Sequence, residues 1–398
     1  MTTRELLSNT MSSDLSTGQL CLFVVALSFI TGCREPYDPE ILSKDLKVLV
    51  VEGYLDTEGL PSVLRLSFTK NLEGDAGDGF PEAEVYLKAD SGAEFPLTDI
   101  GNGEFEFAQD IPEEMQYTLH IATDEGKTYT SEKLSPIITP EISELGFEKD
   151  EEGVEVFIRT KGGQNAEYFM WDYEETYSFR SAVPTYFKYD AASKDIVYLE
   201  ENERTDICYR AGSNEELISE SSIRFQEDVV FRKKLIEIFN GDERLSRKYS
   251  VLVSQRAISK DAEEFWRILN KNSTELGSIF SPLPSVMPSN LRQEGNPDAP
   301  VIGYVSMGII RQQRLFISLN EVMPWQVADI PEYFQCQVSN DTIPISAYEE
   351  FFGSGNFVPA TPISIPGIPY VVGYQGTERR CADCTLRGTN VKPDFWDD

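Results

Sequence analysis

The chain has 398 residues, about a quarter of them charged, and 67 acidic against 35 basic side chains leave a net charge of −32. So acidic a chain lacks the clustered Lys and Arg that nucleic acid and anionic membrane surfaces require, which argues against both as partners. With 40% hydrophobic residues it can bury more than one core.

The first element in chain order is the apolar run Leu20–Ile30, which Thr31, Gly32 and Cys33 follow. Its 11 residues are too few to cross a hydrocarbon layer of about 30 Å. Its place near the N-terminus, ending in small residues, is the layout of a secretory signal. Ile30-Thr31-Gly32-Cys33 resembles the lipobox of bacterial lipoproteins, which implies acylation of Cys33 and removal of residues 1–32. Only Arg4 precedes the run, against Glu5 and Asp14, and a start at Met11 would leave the α-amino group as the sole positive charge. A core strand beginning at Leu20 is the competing reading, but it does not explain why Gly-Cys directly follows the run. Removing residues 1–32 leaves a net charge of −31, and no later apolar run reaches spanning length. The membrane is then reached through lipid alone.

Residues 33–45 read as a tether. From Lys47 the pattern is short alternating strands: Lys47–Leu55, Val63–Phe68, Val85–Ala89, Phe105–Phe107, Tyr117–Ile121 and Thr128–Thr130. Turn residues such as Gly101-Asn-Gly103 and Asp124-Glu-Gly126 separate them. This spacing predicts an immunoglobulin-like β-sandwich over 46–140, ended by Pro136 and Pro140. Between its strands, Leu72–Gly79 places acids in a glycine-rich loop. It lacks the alternating ligands and distal Glu of a calcium loop, so no metal and no cofactor are assigned.

A larger β-rich domain is expected over 141–398. Its clearest strand is Phe169–Phe179. Phe169, Trp171, Tyr173, Tyr177 and Phe179 share one face, and Met170, Asp172, Glu174, Thr176 and Ser178 share the other. Core packing is the preferred reading of the aromatic face, because large aromatics dominate burial. The alternative is a platform for a glycan or peptide formed by Trp171, Tyr173, Glu174, Glu175 and Tyr177. An amphipathic helix is expected near 261–271, with Asp261 and Glu264 as a capping box and Ala262, Phe265, Trp266 and Leu269 as its stripe. A shorter helix is expected over 230–240. Ser281–Pro288 reads as extended, and strands return at Ile302–Ile310 and Arg314–Asn320. Pro359, Pro362, Pro366 and Pro369 remove backbone donors, which points to an edge or a surface crossing.

Beyond Cys21 and Cys33 four cysteines remain: Cys208, Cys336, Cys381 and Cys384. An even count in an exported chain favours disulfides, with three pairings open. A redox role for Cys381-Ala-Asp-Cys384 lacks a thioredoxin-like setting, and zinc lacks a second half-site. The reading is a C-terminal tail stapled to the body. His120, the lone histidine, alternates away from Leu119 and Ile121 toward solvent. The sequence holds no nucleophile elbow, phosphate loop, dinucleotide fingerprint or zinc-protease motif. An enzyme is therefore not expected. The remaining catalytic possibility is a carboxylate-pair hydrolase, with Glu174 and Glu175 as the pair to inspect.

Several stretches together carry a family resemblance. They are Leu49–Tyr54, Tyr168–Glu175, Tyr249–Gln255 with Glu264-Phe-Trp266, Pro300–Tyr304, and Cys381–Gly388 with Pro393–Trp396. In this order they resemble the domain-of-unknown-function 4249 family of Bacteroidota outer-membrane lipoproteins. The resemblance implies no active site. It implies association with a TonB-dependent outer-membrane barrel and a role in nutrient uptake. In that phylum, acids just after the lipidated Cys direct surface export, and Arg34–Asp38 matches in part, so surface and periplasmic faces both stay open. Asp341-Thr342-Ile343 resembles the phylum's O-glycosylation sequon with Thr342 as acceptor, against the plain reading of a turn before Pro344. The expected function is a lipid-anchored, non-catalytic accessory to such a transporter, binding ligand or docking on the barrel. The alternatives are an envelope scaffold and a carboxylate-pair glycan hydrolase.

Overall fold

The computed structural model describes residues 48–69, 81–163, 166–214, 217–223, 230–275 and 289–396. The apolar run with Cys33, the tether, the acidic loop Leu72–Gly79 and Ser281–Pro288 lie outside the described residues. Residues 47–398 form one compact unit.

The fold is mainly β. In chain order the strands are β1 (Leu49–Asp56), β2 (Ser62–Phe68), β3 (Ala83–Ala89), β4 (Glu94–Pro96), β5 (Thr98–Gly101), β6 (Glu104–Phe107), β7 (Tyr117–Thr123) and β8 (Thr128–Ser131). Next come β9 (Glu144–Lys149), β10 (Gly153–Lys161), β11 (Tyr168–Arg180), β12 (Phe187–Asp190), β13 (Asp195–Tyr198), β14 (Ile207–Ser213), β15 (Ile218–Ser221), β16 (Val230–Phe239) and β17 (Lys248–Ile258). Helix α1 (Lys260–Glu275) precedes β18 (Leu291–Gln293), β19 (Val301–Gly308), β20 (Ile310–Ser318), β21 (Thr342–Pro344), β22 (Phe357–Ser364) and β23 (Val371–Glu378).

The first sandwich packs the sheet β19-β1-β2-β6-β5 against the sheet β18-β8-β7-β3-β4. Alternation decides which side chains meet: Leu49, Val51, Leu64 and Leu66 from one sheet face Val85, Leu87, Leu119 and Ile121 from the other. The sandwich is not confined to 46–140. Strand β18 extends one sheet and β19 the other, so residues 291–308 complete it. β19 runs parallel to β1, Leu49 opposite Val301 through Asp56 opposite Gly308.

The second sandwich packs the sheet β14-β11-β17-β20 on the sheet β16-β10-β9. Phe169, Trp171, Tyr177 and Phe179 of β11 enter its core with Tyr249, Val251 and Val253 of β17. The 230–240 segment is a strand, which overturns the helix expected there. Val156 pairs with Ile236 and Phe157 with Lys234, so Leu235 is an extra residue in the ladder. The bulge shifts the phase of the buried set, and Phe231, Leu235, Ile236 and Ile238 then fall at helix-like intervals. α1 does form, but one turn boundary differs. Ser259 caps it, its Oγ accepting from the Ala262 N–H at 3.1 Å, where Asp261 was expected.

A third, smaller sheet, β21-β23-β22, packs with the β12–β13 hairpin around Phe187, Tyr348, Phe352 and Tyr374. β22 is an edge strand, as its prolines require.

The first two sandwiches share one chain run. β19 leaves the first at Gly308 and, one residue later, becomes β20 of the second. Gly308 has φ +152°, and a Cβ there would sit 2.1 Å from the Ile137 carbonyl oxygen, so only glycine fits. Asp56, almost fully buried, secures this junction. Its carboxylate accepts from the backbone N–H groups of Glu58 (2.9 Å), Leu60 (2.8 Å) and Ile310 (2.8 Å). Asp56→Ala leaves three donors short of an acceptor and is expected to lower the unfolding free energy by about 3–5 kcal/mol. Urea denaturation of the 47–398 unit measures this; a loss below about 1 kcal/mol would contradict the assignment.

Candidate functional site

Each strand of a sandwich spends one face on its core. The outer faces of β1 and of the β11-β17-β20 sheet turn toward one another and enclose a cleft of about 640 Å³. That volume lies within the range of small-ligand sites. β1 supplies Glu52 and Tyr54, β11 supplies Asp172 and Glu174, β17 supplies Arg256, and α1 closes one side with Trp266.

The central pair is Arg256 with Asp172. Asp172 stands across from Ser254 in the ladder, so Arg256 reaches it diagonally on the same face. The Arg256 side chain is 18% exposed, and burial pushes its guanidinium below its usual value without neutralising it. Its Nε finds no hydrogen-bond partner among the described residues. Tyr54 lies beside it, with the guanidinium carbon 5.8 Å from the ring centroid. The Tyr54 hydroxyl donates to the Ala257 carbonyl at 3.1 Å, and burial pushes its pKa well up. Glu174 is exposed at the rim. The arrangement sets the aromatic rings of Tyr54 and Trp266 beside a guanidinium and carboxylates held on strands.

The sequence-derived platform residues divide between two faces. Trp171 is fully buried, and its indole N–H donates to Gln255 Oε1 at 2.9 Å. Gln255 donates in turn to the Pro140 carbonyl (2.9 Å) and Thr160 Oγ1 (3.1 Å), so this polar cluster is satisfied inside the core. Tyr177 is buried and Tyr173 packs on the same core. Trp171 and Tyr177 therefore form no surface platform, because the aromatic face is the one the second sheet covers.

Glu174 and Glu175 are neighbours on a strand and point to opposite faces. Glu175 accepts from the Tyr249 hydroxyl at 2.8 Å and from Arg244 at 3.1 Å. Burial and the Glu175 charge both push the Tyr249 hydroxyl pKa well up. Desolvation works against the Arg244 charge, but the hydrogen bond to Asp242 and the Glu175 carboxylate hold its pKa above the usual value. Glu175 is thus a structural anion, and the two carboxylates do not meet across a common space.

The cysteines pair as Cys208–Cys384 and Cys336–Cys381. Cys381 and Cys384 thereby fix the tail to two separate parts of the body. His120 is half-buried on the outer face of its sheet, stacked on Tyr86 with centroids 4.9 Å apart, and burial lowers its pKa. Thr342 is exposed in β21. No group of three or more His, Cys, Asp or Glu side chains stands at metal-binding spacing among the described residues.

Sequence reasoning had the polar face of β11 but missed Tyr54, Arg256 and Trp266 as its company. The available signal was the even-numbered polar series on β17, with Ser250, Ser254 and Arg256 matching the polar series on β11.

Fold and cleft define a β-sandwich protein with a strand-built cleft between its two sandwiches. The chain belongs to the family described as Domain of unknown function (DUF4249), whose model matches residues 34–314. No match was found among curated proteins. Among solved structures, crystal structures of pullulanase from Anoxybacillus sp. LM18-11, free and complexed with maltotriose, match at 10% identity and a TM-score of 0.14. The match covers 52% of this chain and 24% of that chain, so the similarity spans about a quarter of the enzyme's length.

The pair at the centre of the cleft gives an ordered prediction. Asp172→Asn strands a desolvated guanidinium and is expected to cost about 1–2 kcal/mol, the range for a buried pair discounted for the half-exposed carboxylate. Arg256→Met removes the desolvated charge itself and is expected to cost less than Asp172→Asn. Urea midpoints of the two variants check the order; the reverse order would contradict it.

Proposed function

We propose that the protein is a lipid-anchored, non-catalytic accessory of the outer membrane that works beside a TonB-dependent transporter barrel in nutrient uptake. The observation that carries the ligand-binding half is the cleft, with its Trp266 wall and its Arg256–Asp172 pair. An aromatic ring beside carboxylate and guanidinium groups suits a glycan, whose C–H face stacks on the ring while its hydroxyls bridge the charges; a polar peptide is the other ligand of matching chemistry. The anchoring half is supported by Ile30-Thr31-Gly32-Cys33 after a short apolar run. The transporter half is supported by what is associated with the family.

The test is affinity purification of the tagged, full-length chain from its own outer membrane in mild detergent, with stoichiometry by mass spectrometry. The expected result is a transporter barrel at about one copy per copy of this chain. Recovery without a barrel, or turnover of glycans or peptides by the purified protein, would overturn the reading. Cys33→Ala tests the anchor separately: the protein should leave the membrane fraction or retain its signal, and unchanged attachment of a processed chain would refute lipidation.

A further inference from the structure

The longest run of this chain without a charged side chain lies near its C-terminal end. From Phe351 to Thr377 there is no Asp, Glu, Lys, Arg or His, although about a quarter of the whole chain is charged. Acids bound the gap on both sides, Glu350 before it and Glu378 after it. The gap contains the β22–β23 hairpin, whose tip is Ile365-Pro-Gly-Ile-Pro-Tyr370.

The tip does not face a core. Ile365 is 49% exposed and Tyr370 is 63% exposed. Ile345 joins them at 54% exposure, because Pro344 pairs with Gly373 at the tip end of the sheet. Pro362, Pro366 and Pro369 have no backbone N–H, so this end of the hairpin carries few donors to desolvate. Gly367, at φ +89°, makes the turn. An apolar, uncharged tip with few free donors and an interfacial tyrosine is the composition that settles at the boundary of a bilayer.

We propose that the 365–370 tip is a membrane-contact element that rests in the headgroup region of the bilayer, a lipid surface of neutral headgroups being its chemical partner. The proposal rests on the lipid-anchor reading. Between Cys33 and the first described residue, Val48, lie 14 residues, a reach of at most about 50 Å fully extended. The remainder of the surface, at a net charge near −31, is repelled by anionic lipid, so a charge-free tip is the part suited to contact.

The experiment uses residues 47–398, the compact unit that contains every described core, with an N-terminal hexahistidine in place of the tether. The unit is held on phosphatidylcholine vesicles containing a nickel-chelating lipid. Tyr370→Trp adds a reporter at the tip, read as emission above the parent. Brominated phosphatidylcholine is expected to quench the added emission at least twofold, and Ile365→Asp with Ile368→Asp in the same chain to abolish the quenching. Circular dichroism should be unchanged, because the substituted side chains lie on the hairpin tip. Absence of quenching with an intact fold would overturn the proposal. Absence of quenching combined with loss of a co-purifying barrel in the Asp variant would assign the tip to a protein surface instead. Because the tether here is artificial, this result is independent of Cys33, and failure of the anchor reading would register only in the Cys33→Ala experiment.

Discussion

The structure depends on the passage of one chain run, residues 301–318, through two sandwiches. β19 closes the edge of the first and β20 the edge of the second, with a single residue, Ile309, between them. Such a run cannot turn freely at the junction, because its amides are committed on both sides. The Ile309 N–H donates to the Ile137 carbonyl at 3.1 Å, and the Ile310 N–H donates to the Asp56 carboxylate at 2.8 Å. A buried carboxylate is expensive unless its lone pairs are used, and here three backbone donors use them. The acid is therefore tolerated in the interior because it ties the turn after β1 to the start of β20.

The cleft follows from the same constraint. Fixing β1 beside β19, and β20 directly after it, brings the outer face of the first sandwich against the outer face of the second. Those faces set polar and charged side chains beside a small apolar cluster of Tyr54, Met170, Ile258 and Ile310. The space between them is lined by charged groups held on strands, with α1 placing Trp266 at its side. Strand-held groups keep their positions better than loop-held ones, which favours recognition over adaptable contact. Arg256 illustrates the consequence: its charge is partly desolvated, and its buried Nε has no hydrogen-bond partner among the described residues.

Much of the fold was legible because period-two alternation is a local signal. The strands at 49–56, 62–68, 117–123 and 168–180, and the amphipathic helix, were read from residue spacing alone. Where the signal is not local, reading stopped. Pairing of β1 with β19 joins residues about 250 positions apart, and no pattern in either strand names the other. The bulge at Leu235 imitated a helical period by displacing half of a strand by one residue. The disulfide pairing was open for the same reason of distance, and it depends on where β14 places Cys208. In β11 the two faces separate by alternation, but nothing in the strand names Tyr54, Arg256 or Trp266 as the company of its polar face. The aromatic face is the core, as the preferred reading of its large side chains has it; the polar face opposite it lines the cleft.

The claim that one run welds the two sandwiches is tested most directly by hydrogen exchange across urea on residues 47–398. Amides of β2 and β7 report on the first sandwich, and amides of β10 and β11 on the second. The account predicts that all of them exchange through the same global opening, with equal free energies and one urea dependence. Protection of β10 and β11 persisting after β2 and β7 have opened would contradict it, since the sandwiches would then unfold as separate bodies.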